Sequence, residues 1–148
     1  MPSSYTCLHY HLVWSTKDRR PIITPVVRDR LYSFIGGIIR NNGGILLSAG
    51  GVPDHVHHCC SLDKKLALSD VLRDIKSNSS GWVRETFNVD FAWQTGYAAF
   101  SVSHSGLAAI RRYIAGQEEH HRKMSFKEEL LALLKKHEVE YDERYVFE

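Results

Sequence analysis

From residue 25 onward, Val27, Leu31, Phe34, Ile35, Ile38 and Ile39 recur at steps of three and four, the spacing of one helical face. Asn41-Asn42-Gly43-Gly44 stops that helix. A second run at the same period, Leu68, Val71, Leu72, Ile75, Trp82 and Val83, predicts another helix, capped by Ser69 or an earlier residue. Two further helices are expected over residues 107–123, with Ser103 or Ser105 as cap, and over 126–137. The intervening segments read differently. Residues 5–16 are aromatic, β-branched and partly alternating, which predicts a strand. Residues 44–52 and 55–62 read as two strands turned by Pro53-Asp54, an antiparallel hairpin. Residues 91–103 complete the set as a strand, or a bent pair with Gly96 at the bend.

The order is β-α-β-β-α-β and then helices. It predicts an α+β, ferredoxin-like split βαβ fold: an antiparallel sheet with helices on one face, plus a C-terminal helix carrying a tyrosine. At 148 residues, without a linker, repeat or low-complexity segment, one domain over residues 1–148 is expected.

Composition narrows the function less than the pattern does. The formal charge of +2 permits a local basic face without announcing one. No window nears the roughly 18 apolar residues of a membrane span, and the N-terminus lacks an apolar signal core, so a cytoplasmic protein with no membrane partner is expected. Three cysteines, with Cys59 and Cys60 adjacent and pointing to opposite sides of a strand, suit a reducing compartment.

The densest chemistry is V-P-D-H-V-H-H-C-C-S, residues 52–61. On a strand His55 and His57 share one face with Cys59, while Val56, His58 and Cys60 share the other. Two imidazoles on one face can take adjacent positions on a divalent metal, and Asp54 can orient a ligand or sit near the ion. Cys59 as a third ligand would favour zinc; a nitrogen and oxygen set suits magnesium or manganese. A half-buried strand with hydrogen-bonded histidines is the bland alternative, about equal in weight on local grounds. No spacing completes a zinc finger, and adjacent cysteines are not a C-x-x-C redox pair.

Downstream, Tyr113, Gln117 and His121 lie four residues apart, a gently drifting helical stripe beside Leu107, Ile110 and Ile114. Each alone reads as a core-edge or surface residue. Set against H-V-H, they offer a nucleophile and a third ligand on one element. A G-x-x-x-x-G-K-[ST] phosphate loop and a carboxylate triad are both missing from the sequence.

P-D-H-V-H followed far downstream by Y-I-x-x-Q-x-x-H-H-R resembles the HUH single-tyrosine transposases of the insertion-sequence 200/605-like group. Y-H-L-V-W-S-T-K-D-R-R-P, W-Q-T-G-Y-A-A-F-S-V-S, S-F-K-E-E-L-L-A-L-L and Y-D-E-R-Y extend the resemblance in order along nearly the whole chain. The resemblance implies His55, His57 and Gln117 as ligands of Mg2+ or Mn2+, Tyr113 as nucleophile, and Asp54 and His121 as accessory residues. It also implies cutting and rejoining of single-stranded, hairpin-bearing DNA at element ends through a 5′-phosphotyrosine. A homodimer is implied, often with the tyrosine helix of one subunit completing the other's site. The alternatives are a domesticated relative that binds hairpins without cutting, and a zinc hydrolase using Cys59. Two features depart from the group: His58, Cys59 and Cys60 stand where apolar residues are usual, and Gly116 weakens the tyrosine helix by up to about 1 kcal/mol.

Cations to hold DNA are expected from Lys17, Arg19 and Arg20 in one loop, Arg73, Lys76 and Arg84 on the second helix, and Arg111, Arg112, Arg122 and Lys123 around the tyrosine. Glu118, Glu119, Glu128 and Glu129 read as an acidic surface that offsets them, and Trp14, Trp82 and Trp93 as mainly core residues rather than base-stacking platforms. His9 and His11, on the first strand, could approach the metal or the DNA, but read first as satisfied strand histidines.

Overall fold

The computed structural model describes residues 3–148. Among the described residues four strands and five α-helices run in order: β1 (His9–Ser15), α1 (Pro25–Asn41), β2 (Ile45–Val52), β3 (His55–Ser61), α2 (Leu68–Phe87), β4 (Ala98–Val102), α3 (Leu107–Ala115), α4 (Gln117–His120) and α5 (Phe126–Lys136). The four strands form one antiparallel sheet in the order β2-β3-β1-β4. That order is the split βαβ arrangement the residue pattern predicts.

Alternation along the strands divides the chain into two layers. Leu12 and Trp14 of β1 and Val56 and Cys60 of β3 face a core shared with Leu31, Ile35 and Ile39 of α1 and Leu72 and Ile75 of α2. Val13 and Phe100 face a smaller cluster with Phe126, Leu130 and Leu134 of α5. So α1 and α2 cover one face, and the C-terminal helices lie across the other. β3, flanked by β2 and β1, is the most enclosed strand, with every residue from His55 to Cys60 buried.

Several boundaries differ from expectation for local reasons. β1 begins at His9, not residue 5, and Tyr5 is exposed. Of residues 91–103 only Ala98–Val102 pairs as a strand; Trp93 makes one isolated bridge to Thr16. Of the two options for the start of α2, the earlier residue holds: Ala67 takes the N-cap position, without a side-chain bond. Ser103 does cap, accepting from the Gly106 amide, but it opens a 3-10 turn ahead of α3. The helix expected to run to residue 123 stops at Gly116 (φ −92°, ψ 15°) and restarts as α4. Ser125 and Glu128 form a capping box that begins α5 after this irregular stretch.

One glycine decides how closely the second layer approaches. A Cβ on Gly50 of β2 would meet the Ile114 carbonyl oxygen at 2.4 Å, so only glycine lets α3 lie directly on the sheet there. No described helix is long and apolar enough to cross a membrane.

Candidate active site

The site assembles where β3, α3, α4 and α5 meet. Strand parity sends the His55 and His57 rings toward the C-terminal helices, and both are wholly buried. Their Nε2 atoms lie 3.2 and 2.9 Å from Oε1 of Glu129, which projects from α5 into the same space. His121, just past α4, brings its own Nε2 to 3.1 Å from that oxygen. Gln117 is almost fully buried; its Oε1 sits 3.4 Å from His55 Nε2 and its amide nitrogen donates to Glu129 Oε2 at 3.1 Å. The Tyr113 hydroxyl donates to the same Oε2. The Tyr113 and His57 rings are 5.7 Å apart between centroids within this one chain.

Each imidazole is also held from behind. His55 Nδ1 is 2.7 Å from Asp54 Oδ1, and His121 Nδ1 is 2.6 Å from the Met124 carbonyl oxygen. His57 Nδ1 lies 2.8 Å from Nε2 of His11, a buried ring stacked on it. Imidazole can donate or accept at that nitrogen, so His11 supports either tautomer of His57. His120 Nε2 comes within 3.2 Å of Glu129 Oε2 but forms no hydrogen bond among the described residues.

The electrostatics follow from this packing. Burial works to raise the Glu129 carboxyl, but hydrogen bonds from His121, His55 and His57 outweigh it and hold the group ionised. Burial pushes His57 down to about 4 despite Glu129, and pushes His11 down to about 3. Burial also opposes charge on His55, yet bonds to Asp54 and Glu129 raise it. Burial and the Glu129 contact both push the Tyr113 phenol up, with Gln117 opposing them.

A divalent cation fits this donor set. The ligand atoms of His55, His57, His121 and Glu129 all lie within 4.8 Å of one another. An ion bonded at roughly 2.1 Å keeps neighbouring ligands about 3 Å apart, close to the 2.9–3.2 Å seen around Glu129 Oε1.

The family model described as "Transposase IS200 like" matches residues 4–117, most of the chain. The chain belongs to the IS200-like transposase family. ISDra2 transposase TnpA of Deinococcus radiodurans is 28% identical over 119 residues, 76% of this chain and 85% of that protein. A crystal structure from Deinococcus radiodurans R1, assigned as a transposase, is similar with a TM-score of 0.64 at 26% identity, covering 79% of this chain and 96% of that one. A REP-associated tyrosine transposase bound to a REP hairpin shares the fold at 15% identity, with a TM-score of 0.61 over 82% of this chain and 74% of that one.

In this IS200-like transposase chain the four residues singled out from the sequence, His55, His57, Tyr113 and Gln117, do converge, and Asp54 and His121 adjoin them. Cys59 is outside the cluster of potential metal ligands, which removes the geometric basis for a zinc site built on it. The basic residues are not gathered in the same way. Arg20 pairs with Asp90 at 3.2 Å and Arg73 with Asp70 at 3.0 Å. Lys76 donates to the carbonyls of Gln94, Thr95 and Gly96 at 2.6–3.0 Å. Burial brings its ammonium down to about 8, so it holds this loop rather than projecting as a free cation. Lys17 and Arg112 are exposed, and Arg19 reaches over the Phe147 ring. Trp14 and Trp93 are buried core residues, while Trp82, half-buried, stacks on Phe34.

Glu129 is the residue sequence reasoning missed. Read as part of an acidic surface, it is 1% exposed and bonds to His55, His57, Tyr113, Gln117 and His121. A signal was available: Phe126, Leu130, Leu133 and Leu134 define an apolar stripe at helical spacing, and Glu129 lies inside it. A carboxylate within such a stripe is buried, and a buried carboxylate needs partners.

Proposed function

We propose that this family member is a DNA strand transferase that cuts and rejoins single-stranded DNA at the ends of an insertion element, with Tyr113 as the nucleophile. The observation that carries the reading is the convergence of Tyr113, Gln117, His55 and His57 on one buried carboxylate within one chain. The Tyr113 oxygen attacks the phosphorus as the bond from phosphorus to the 3′ oxygen breaks, leaving a 3′-hydroxyl and a 5′-phosphotyrosine. The phenol needs help to ionise, since burial and Glu129 raise it; Glu129 Oε2, which already accepts its hydrogen, receives the proton. Rejoining is the reverse, with a 3′-hydroxyl attacking the phosphotyrosine, so no ATP is required.

His55, His57 and Gln117 would hold a divalent cation, Mg2+ or Mn2+, which when bound supplies positive charge against the scissile phosphate. Asp54 and His11 keep the two strand imidazoles aimed inward. The REP hairpin bound by the REP-associated relative supports a substrate with hairpin structure. Lys17, Arg19 and Arg112 are among the sequence-proposed cations that form no ion pair among the described residues, and we assign them to the DNA backbone. We further propose that residues 1–148 act as one domain, in the cytoplasm and as a homodimer. With tyrosine and histidines adjoining in one chain, each subunit then works on its own site.

The test is a denaturing gel after incubation with labelled, hairpin-bearing single-stranded DNA and manganese. A covalent protein–DNA adduct is expected from the wild type and none from Tyr113→Phe, which keeps DNA binding. An adduct from the Phe variant sinks the nucleophile assignment. DNA binding without any wild-type adduct favours a non-cutting hairpin binder.

A further inference from the structure

We propose that Glu129 and His121 are themselves metal ligands, so that the site presents three imidazoles and a carboxylate and selects a transition-metal dication such as manganese, cobalt or zinc over magnesium. This rests on the metal reading above and enlarges its ligand set.

The first argument is orientation. His55, His57 and His121 each have Nδ1 occupied, by the Asp54 carboxylate, the His11 ring and the Met124 carbonyl respectively. Such outer partners are what fix the ring and tautomer of metal-bound histidines. All three Nε2 atoms consequently face one point from three directions, two from β3 and one from the segment after α4.

The second is how many groups meet at one atom. Nε2 of His55, His57 and His121 close on the single oxygen Oε1 of Glu129 at 3.2, 2.9 and 3.1 Å, and His55 Nε2 also lies 3.4 Å from Gln117 Oε1. A carboxylate oxygen offers about two lone-pair directions, fewer than the three buried rings that crowd it. One dication serves every donor together, at separations close to the edge of a coordination polyhedron.

The third is donor type. His55, His57 and Gln117 alone give two nitrogens and an oxygen, which leaves magnesium a fair competitor. His121 brings a third imidazole, and imidazole-rich sites favour borderline transition metals, whereas magnesium keeps to oxygen. Glu129 also brings charge: its Oε1 faces the imidazoles while Oε2 stays on Tyr113 and Gln117, so one carboxylate ties the ion to the nucleophile.

Metal-free full-length protein, titrated calorimetrically with MgCl2, MnCl2 and ZnCl2 and spectroscopically with CoCl2, reads this directly. Zinc and cobalt are expected to bind one per chain and more than about tenfold tighter than magnesium, with visible cobalt bands of a nitrogen-rich site. Glu129→Gln and His121→Ala are each expected to weaken cobalt and zinc by more than about tenfold, at least what losing even an outer partner costs. His121→Ala should also narrow the margin over magnesium. A thermal melt accompanies each variant; if Glu129→Gln does not fold, His121→Ala alone decides. Wild-type cobalt affinity and spectrum in the folded variants overturn the enlarged ligand set. If His57→Ala abolishes binding while those variants leave it intact, the smaller set stands. If His57→Ala also binds normally, the metal reading itself fails.

Discussion

His57 and His58 are neighbours on one strand, both wholly buried, yet their surroundings are opposite. His57 faces the C-terminal helices, with one ring nitrogen on His11 and the other on Glu129. His58 faces α1 and α2, stacked on Trp14 at 4.8 Å with the Tyr32 ring edge-on at 6.1 Å, and neither ring nitrogen has a hydrogen-bond partner among the described residues. A one-residue step thus separates a polar network from an apolar core. The pair teaches that burial of a histidine says nothing of its use; what counts is whether the surroundings finish its hydrogen bonds.

The largest expected break in this comparison is functional. His57→Leu should cut covalent adduct formation by at least about a hundredfold, the scale of losing a group that places charge at a reacting phosphate. His58→Leu should leave adduct formation within about threefold of wild type, because its side chain faces only apolar packing. Equal losses in the gel assay would erase the distinction between the faces.

Next is Gly50→Ala, which acts on the site face alone. The new methyl meets the Ile114 carbonyl oxygen at 2.4 Å and must push α3 off the sheet. A loss of about 1–3 kcal/mol in denaturant unfolding is expected, with activity falling about a hundredfold through misplacement of Tyr113. Gly37→Ala, where a Cβ meets nothing within 4 Å, is the control and should stabilise α1 by up to about 1 kcal/mol.

Acid should sharpen the contrast. Burial holds His58 at about 3 against an ordinary 6.5, so only the unfolded chain takes up its proton between those values. Its contribution to stability is therefore complete above pH 6.5 and falls as pH drops toward 3. At pH 5 the loss is about 2 kcal/mol relative to neutral pH. His58→Leu should retain that amount, read as a shallower fall in urea midpoint between pH 7 and pH 5. It should also gain about 1 kcal/mol at neutral pH by removing two unsatisfied nitrogens. An unchanged pH profile would show that His58 finds a proton partner in the fold.

The smallest expected effect concerns the cysteines. Cys59 and Cys60 are fully buried on opposite faces, and burial raises both thiols, Cys60 to about 12. Iodoacetamide on the folded protein should label exposed Cys7 and leave both strand cysteines untouched, as mass spectrometry would show.

Much of the fold was legible because it depends on short-range rules. Alternation sorted β3 into two faces, and helical spacing found α1 and α5 almost to the residue and located α2. The pairing of H-V-H with Tyr113 and Gln117 was also readable, since the tyrosine and glutamine are one turn apart. What stayed hidden is what only tertiary contact decides. Glu129 looks solvated until α5 is laid over β3, and His11 looks like a self-contained strand histidine until its diagonal neighbour His57 is in place. Lys76 looks like a surface cation, but the 94–96 loop closes over it. Gly116 signalled a weakened helix, and in the fold that weakness is a full stop between α3 and α4.

The family match ends at residue 117, the position of Gln117 itself. His121 and Glu129 follow it, so the inner surface of the site is drawn from two stretches of chain, one inside the shared profile and one beyond it. The tyrosine and the strand histidines lie in the first stretch, and the carboxylate that joins them, Glu129, comes from the second, on the last helix of the fold.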